Sequence, residues 1–102
     1  VVGTLPYVSP EMAGGRWSEV STASDVYGLG AVLYAMLTGR EPFRGRDARE
    51  TLALVVRGEL VRPRSLNPKV DRELEAVCLR CLEREPGRRY GSADALANDL
   101  RR

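Results

Sequence analysis

The sequence predicts an all-α domain, and three observations predict it. Apolar residues recur at the three- and four-residue spacing of helices in four segments. Residues that favour helix ends, such as serine, aspartate, glycine and proline, stand next to those segments. No segment alternates apolar and polar residues as a half-buried strand would, and the length of 102 residues fits one domain.

The first predicted helix is the central one and runs from Ser24 to Thr38. Its sequence, SDVYGLGAVLYAMLT, is apolar nearly all round, which indicates a helix covered by protein on most of its surface. Gly39 suits a left-handed C-cap, and Pro42 prevents any continuation. We therefore expect this helix to form the core of the fold.

The second predicted helix begins at Asp47 and ends near Gly58. Glu50 follows Asp47 at the three-residue spacing of a capping box. The apolar stripe of this helix consists of Leu52, Val55 and Val56. Beyond it, the two prolines of ELVRPRSLNPKV and the lack of a sustained period predict an irregular crossing loop.

The third and fourth predicted helices complete the chain. The third runs from about Asp71 to Glu85, because Pro86 disfavours helical geometry at the residue before it. Its inner face holds Leu74, Val77, Cys78, Cys81 and Leu82. The fourth starts with Ser92 as N-cap and places Ala93, Leu96, Ala97 and Leu100 on one side.

The two cysteines, Cys78 and Cys81, have the C-x-x-C spacing of metal and redox sites. A closed zinc site needs four cysteine or histidine ligands, and the sequence has no histidine and no third cysteine. A thioredoxin-like pair needs a βαβ setting, whereas these cysteines lie in a helical segment. We therefore expect no metal site and interpret both cysteines as small buried core residues, which suits a reducing compartment.

The charge pattern argues against nucleic-acid binding. Lys69 is the only lysine, so the net charge of +2 rests on arginines. Acidic and basic residues alternate in segments such as RGRDARE and DRELE, which is typical of solvated surfaces rather than of a phosphate-binding stripe. An arginine-rich nucleic-acid binder stays the least favoured alternative, and we expect no nucleic-acid partner.

The chain begins with Val1 and carries no recognisable signal peptide, so we expect that it comes from a longer protein. The longest apolar run, residues 26–37, is too short to cross a bilayer, so no membrane segment is expected within the chain. The expected location is cytoplasmic, and a membrane anchor beyond Arg102 is left open.

Three blocks of the sequence resemble one family. GTLPYVSPE resembles the end of the activation segment of serine/threonine protein kinases, and SDVYGLGAVLYAMLTGREPF resembles the helix that follows it. CLEREPGRRYGSADALANDL resembles the closing helices of the same lobe, with wording most like bacterial kinases of the eukaryotic type. The resemblance implies a partial kinase domain: residues 1–23 end the activation segment, and residues 24–102 are helices of the C-lobe of the α+β kinase fold.

The resemblance assigns the opening loop to substrate binding. Thr4 matches the threonine that hydrogen-bonds the catalytic aspartate in kinases acting on serine and threonine. Leu5, Pro6, Tyr7 and Val8 match the loop that holds the substrate residue just after the phosphorylated one. Because proline fixes φ, this loop would offer a preformed wall to a peptide.

The resemblance also assigns three structural residues. Glu11 matches the glutamate of the Ala-Pro-Glu motif, and Arg89 matches the arginine that pairs with it. Asp25 matches the aspartate that opens the central helix and accepts backbone hydrogen bonds from the catalytic loop. An acid favoured by the helix dipole is an equally good interpretation of Asp25.

The catalytic residues of the family are missing from the chain. Without histidine there is no His-Arg-Asp motif, and Phe43, the only phenylalanine, is not in an Asp-Phe-Gly motif. The G-x-G of GLGAVL lies in the apolar helix, and Lys69 lies in a loop, so neither matches the ATP-binding elements. We therefore expect ATP and Mg²⁺ to be bound by the parent kinase upstream of Val1 and not by this chain.

These observations predict the carboxy-terminal part of a serine/threonine kinase domain that is inactive alone. Its expected partners are protein substrates and the N-lobe and catalytic loop of the same kinase. The alternative is a stand-alone helical interaction module that uses the opening loop and the helix from Asp47 to Gly58 to dock partners.

Overall fold

The computed structural model describes residues 7–101, and within that range the chain forms helices, turns and loops with no strand. The predicted all-α class is therefore confirmed. The α-helices are α1 (Pro10–Ala13), α2 (Thr22–Thr38), α3 (Ala48–Arg57), α4 (Pro63–Leu66), α5 (Arg72–Cys81) and α6 (Ala93–Leu100). Short 3₁₀ turns lie at Trp17–Glu19 and Pro86–Arg88.

Helix α2 is the central helix, and it begins two residues before the predicted start. The Ser21 hydroxyl accepts a hydrogen bond from the Ala23 amide, and the Ser24 hydroxyl accepts one from the Ser21 amide. This reciprocal capping fixes Ser21 as the N-cap, so Ser24 lies inside the first turn rather than at the start. The predicted end is confirmed, because Gly39 adopts a left-handed conformation with φ of 81°.

Helix α3 has the predicted position, but its capping box is incomplete. The Asp47 side chain accepts a hydrogen bond from the Glu50 amide at 2.9 Å. The Glu50 carboxylate accepts from the amide and side chain of Arg46 instead of returning to the amide of Asp47. Gly58 ends the helix with φ of 71°.

The region between α3 and α6 differs from the prediction in two places. The expected irregular loop contains one helical turn, α4, with Pro63 at its first position. Helix α5 ends at Cys81 and not at Glu85. Beyond the helix, the carbonyl oxygens of Glu83 and Arg84 accept hydrogen bonds from the side chain of Arg89, which follows them by six and five residues.

The core lies where α5 and α6 pack on α2. One cluster of buried side chains consists of Tyr27, Ala31, Tyr34, Cys78 and Leu82, and the other of Val26, Cys81, Tyr90 and Leu96. Both cysteines are free and fully buried, which confirms their interpretation as core residues. Burial raises the pKa of the Cys78 thiol to about 12 and that of Cys81 to about 11, so both stay protonated at neutral pH.

Within residues 7–101, no helix combines the length and the apolar composition that crossing a bilayer requires.

Candidate functional site

The segment just before α2 places one carboxylate in the protein interior. The Ser9 side chain accepts a hydrogen bond from the Met12 amide and caps α1, and Pro10 supplies the first helical position. The Arg16 amide donates to the Glu11 carbonyl at 2.8 Å and closes the turn that follows. These two hydrogen bonds fix the short segment that carries Glu11, and the Glu11 side chain is fully buried.

Glu11 and Arg89 form a bidentate ion pair, although 78 positions separate them in the sequence. One guanidinium nitrogen, Nη1, donates to Oε2 at 2.7 Å, and Nη2 donates to Oε1 at 2.8 Å. Both side chains are fully shielded from solvent. This fork is the geometry in which arginine binds carboxylates most strongly.

The remaining N–H groups of Arg89 bind backbone carbonyls of two other segments. Nη1 also donates to the Ala23 carbonyl at 3.0 Å, in the first turn of α2. Nε donates to Glu83 at 2.7 Å and Nη2 to Arg84 at 3.1 Å, both just beyond α5. All five guanidinium donors are therefore used, which satisfies the requirement for burying this charge.

Ser24 and Tyr27 of α2 complete the cluster. The Ser24 hydroxyl donates to Oε2 of Glu11 at 2.6 Å. The Arg89 guanidinium lies 4.9 Å from the centre of the Tyr27 ring, within the range of a cation–π contact. We call Glu11, Ser24, Tyr27 and Arg89 the Glu11–Arg89 cluster; it joins the segment before α2, α2 itself and the chain after α5.

The electrostatics of the cluster keep Glu11 ionised. Burial alone would raise the pKa of Glu11, but hydrogen bonds from Arg89 and Ser24 outweigh it and lower the pKa to about 2. Burial is also the main reason why the pKa of Tyr27 lies above its usual range. At neutral pH the cluster therefore holds a carboxylate, a guanidinium and a neutral phenol.

The predicted substrate loop is described only in part. Thr4, Leu5 and Pro6 lie outside the described residues. Tyr7 and Val8 are half-buried, and Tyr7 packs against the core cluster that contains Tyr27. The described part of the loop therefore lies on α2, directly ahead of Glu11 in the chain.

Asp25 lies on the opposite side of α2 from the ion pair and is exposed. It occupies the first turn of α2 but does not open the helix as predicted, because Ser21 is the N-cap. Its position near the positive end of the helix dipole suits a carboxylate. None of the hydrogen bonds found within residues 7–101 involves its side chain.

Sequence reasoning found the ion pair but missed its other partners. Ser24 could have been recognised from the Ser21-x-x-Ser24 spacing, which is a cap signal, although that spacing does not reveal the bond to Glu11. The carbonyl groups of Glu83 and Arg84 carry no sequence signal, because every residue has one. Within residues 7–101, no group of three or more histidine, cysteine, aspartate or glutamate side chains is arranged to hold a metal ion.

Comparisons with known proteins point to one family. Residues 1–100 match the protein kinase domain family. The serine/threonine-protein kinase PknB of Mycolicibacterium smegmatis is 42% identical over 98% of this chain. A probable serine/threonine-protein kinase of Streptomyces coelicolor and the tyrosine-protein kinase MasK of Myxococcus xanthus are each 38% identical over the same share.

The same fold occurs in a solved kinase structure. The kinase region of twitchin from C. elegans superposes with a TM-score of 0.83 over 95% of this chain, at 26% identity. The chain covers 17% of that structure and 15 to 16% of the length of the bacterial relatives.

Proposed function

Because this chain belongs to the protein kinase domain family, we propose that it forms the substrate loop and helical floor of a serine/threonine protein kinase. The whole kinase transfers the γ-phosphoryl group of ATP to hydroxyl groups of protein substrates. The reacting groups lie in a catalytic loop and an N-lobe outside these 102 residues. The observation that carries the proposal is the buried Glu11–Arg89 cluster.

The Glu11–Arg89 cluster gives the substrate loop a fixed base. Glu11 lies three residues after Val8, the last residue of the loop. Its carboxylate accepts hydrogen bonds from Arg89 and Ser24 at 2.6 to 2.8 Å. A loop anchored in this way is preorganised, so a peptide binds it at a smaller entropic cost. In this proposal Leu5, Pro6, Tyr7 and Val8 form the wall that contacts the substrate.

In this proposal, Thr4 determines that the kinase phosphorylates serine and threonine and not tyrosine. The resemblance aligns it with the threonine that bonds the catalytic aspartate in serine/threonine kinases. The names of two of the relatives support this choice, whereas MasK is named a tyrosine-protein kinase. Phosphoamino-acid analysis of a substrate phosphorylated by the whole kinase should therefore yield phosphoserine or phosphothreonine and no phosphotyrosine.

One face of α2 supports the view that more of the kinase packs against this chain. Leu29, Val32 and Met36 are exposed by 46%, 47% and 77%, and their spacing places them on one face. Asp25 lies on the same face, one turn ahead of Leu29. We infer that the catalytic loop and its supporting helix cover this face, with Asp25 accepting hydrogen bonds from their backbone.

Within residues 7–101, the acidic side chains do not form a site for Mg²⁺. Oxygen ligands for Mg²⁺ have to converge, and the described residues offer no convergent set of three or more acidic groups. Nucleotide and metal are therefore assigned to other parts of the whole kinase, and no chemical step is assigned to residues of this chain.

The coding sequence upstream of Val1 tests this proposal. It should encode, in the same reading frame, a His-Arg-Asp motif followed by an Asp-Phe-Gly motif, preceded by a lysine on a strand and a glycine-rich loop. An initiation codon directly before Val1 would instead favour the stand-alone interaction module.

A further inference from the structure

The segment between α3 and α5 contains an accessible hydroxyl group among basic side chains. Residues 60–70 carry Arg62, Arg64 and Lys69 and no acidic residue, although acids and bases alternate elsewhere in the chain. Ser65 lies in this segment, on the single turn α4, and it is exposed. Its hydroxyl is not engaged in any hydrogen bond within residues 7–101, whereas its amide donates to the Arg62 carbonyl.

The guanidinium groups of Arg62 and Arg64 have N–H donors that are not used in hydrogen bonds. Arg62 is 66% exposed and uses Nη2 for a 3.2 Å bond to Glu75. Arg64 is half-buried; its Nη2 makes one long contact of 3.5 Å to the Pro68 carbonyl, and its Nε is buried without an acceptor. Arg89, by contrast, uses all five of its donors. Arg62 and Arg64 can therefore bind an added anion without losing their fold contacts entirely.

We propose that Ser65 is a phosphorylation site for a serine/threonine kinase that selects arginine before its acceptor, and that Arg62 and Arg64 hold the phosphoryl group once it is attached. The arginines stand three residues and one residue before Ser65, where a kinase with an acidic substrate groove would contact them. A phosphoserine opposite an arginine cluster gains charge-assisted hydrogen bonds.

The chemistry of the step balances with ATP as co-substrate. The Ser65 oxygen forms a bond to the γ-phosphorus, and the bond from that phosphorus to the β,γ-bridging oxygen breaks. ADP leaves, and the hydroxyl proton passes to a basic group of the acting kinase. This inference does not depend on the proposed function, because a separate kinase can supply the activity.

The fold allows the hydroxyl to reach a kinase cleft. Helix α4 is one turn between Pro63 and Pro68, and its backbone bonds are Ser65 amide to Arg62 and Asn67 amide to Pro63. The Arg64 amide also donates to the Glu75 carboxylate at 2.8 Å, and none of the hydrogen bonds of the Glu11–Arg89 cluster involves a residue of α4. Phosphorylation draws Arg62 toward the phosphate, so it competes with the bond that ties Arg62 to Glu75 on α5.

Mass spectrometry tests the acceptor directly, because two proteolytic peptides each contain one hydroxyl side chain. Cleavage after glutamate releases residues 60–73, whose only such residue is Ser65, and residues 12–19, whose only one is Ser18. Ser18 is also exposed but has Gly15 three residues before it. After incubation with MgATP and an arginine-directed kinase, peptide 60–73 should gain one phosphate and peptide 12–19 none. An unmodified peptide 60–73, under conditions that phosphorylate a free arginine-containing peptide, would overturn the proposal.

Arginine variants test the recognition step. Arg62→Ala should slow phosphorylation of Ser65 by about tenfold. Arg57→Ala, which removes an exposed arginine with an exposed partner, should leave the rate unchanged. Equal rates for both variants would show that Arg62 is not recognised.

Phosphorus NMR tests whether the arginines hold the product. The second pKa of a free phosphoserine is about 6, and neighbouring guanidinium groups lower it. The second pKa of the phosphoserine should therefore be lower in the phosphorylated chain than in the phosphorylated peptide 60–73. Arg62→Ala should remove part of this pKa difference. Identical titrations of chain and peptide would overturn this part of the proposal.

Discussion

At the scale of single residues, the Glu11–Arg89 pair should contribute more to stability than any exposed ion pair of the chain. Glu11→Gln leaves the Arg89 guanidinium buried without its counter-charge, so we expect a loss of about 3–5 kcal/mol in the free energy of unfolding. Glu59→Gln is the matched control, because Glu59 pairs with Arg57 at 3.7 Å in an exposed position. Its loss should be about 0–1 kcal/mol, and urea unfolding measures both. Equal losses would contradict a special role for the buried pair.

Acid should weaken the same pair. The pKa of Glu11 is about 2 in the folded chain, below the ordinary value of 4.5, so folding favours the ionised form. The resulting stabilisation is complete above about pH 4.5 and is lost as the pH falls toward about 2. Carbon NMR of the Glu11 carboxyl should show this low titration point. A midpoint near 4.5 in folded protein would contradict the description of the cluster.

Ser24 should be one cause of the low pKa of Glu11. Its hydroxyl donates to Glu11 and stabilises the carboxylate form. Ser24→Ala should therefore raise the pKa of Glu11, whereas Ser92→Ala, which removes the cap of α6, should leave it unchanged. An unchanged titration in Ser24→Ala would contradict a contribution of Ser24 to the pKa of Glu11.

The extent to which this site could be predicted differs from residue to residue. Glu11 and Arg89 could be paired from the sequence because each matches a position in a sequence motif of the family. The bonds to Glu83 and Arg84 could not be predicted, because they run from a side chain to backbone groups that are identical in every residue. The bond from Ser24 to Glu11 depends on how α1 approaches α2, which only the three-dimensional arrangement reveals.

At the scale of helices, the contact between α2 and α5 depends on one glycine. A Cβ atom at Gly30 would lie 2.3 Å from the Cβ of Cys81, and at that distance the helices have to move apart. We expect Gly30→Ala to destabilise the fold by about 1–3 kcal/mol.

Gly28 of the same helix provides the control. A Cβ atom there would make an ordinary contact of 3.6 Å with the carbonyl of Tyr7. Gly28→Ala should be neutral or stabilising by up to about 1 kcal/mol, because alanine favours helix more than glycine does. Thermal unfolding of both variants compares them, and equal effects would contradict close packing at Gly30.

Helix positions were easier to predict than helix ends. Apolar spacing located α2, α3, α5 and α6, and glycine caps located the ends of α2 and α3. The predicted start of α2 is too late because the segment Ser21-Thr22-Ala23-Ser24 contains three residues that can cap. The predicted end of α5 is too late, because Pro86 disfavours helical geometry only at the residue before it, whereas the helix already ends at Cys81.

At the scale of the whole molecule, the exposed face of α2 should make the isolated chain associate. Leu29, Val32 and Met36 form an apolar patch on the central helix. The triple change Leu29→Gln, Val32→Thr and Met36→Gln should reduce association in sedimentation velocity experiments. Leu100→Gln, at a site exposed by 48% on α6, should not. A wild-type chain that stays monomeric at every concentration tested would contradict the inference that more of the kinase covers this face.

Transfer of labelled phosphate from ATP to a generic protein substrate tests the central claim most directly. The 102-residue chain alone should show no transfer, because its contribution is the substrate loop and its anchor. The chain together with its upstream region should transfer phosphate, and Glu11→Gln should reduce that transfer. Clear turnover by the 102-residue chain alone would contradict the proposal that the reacting groups lie outside it.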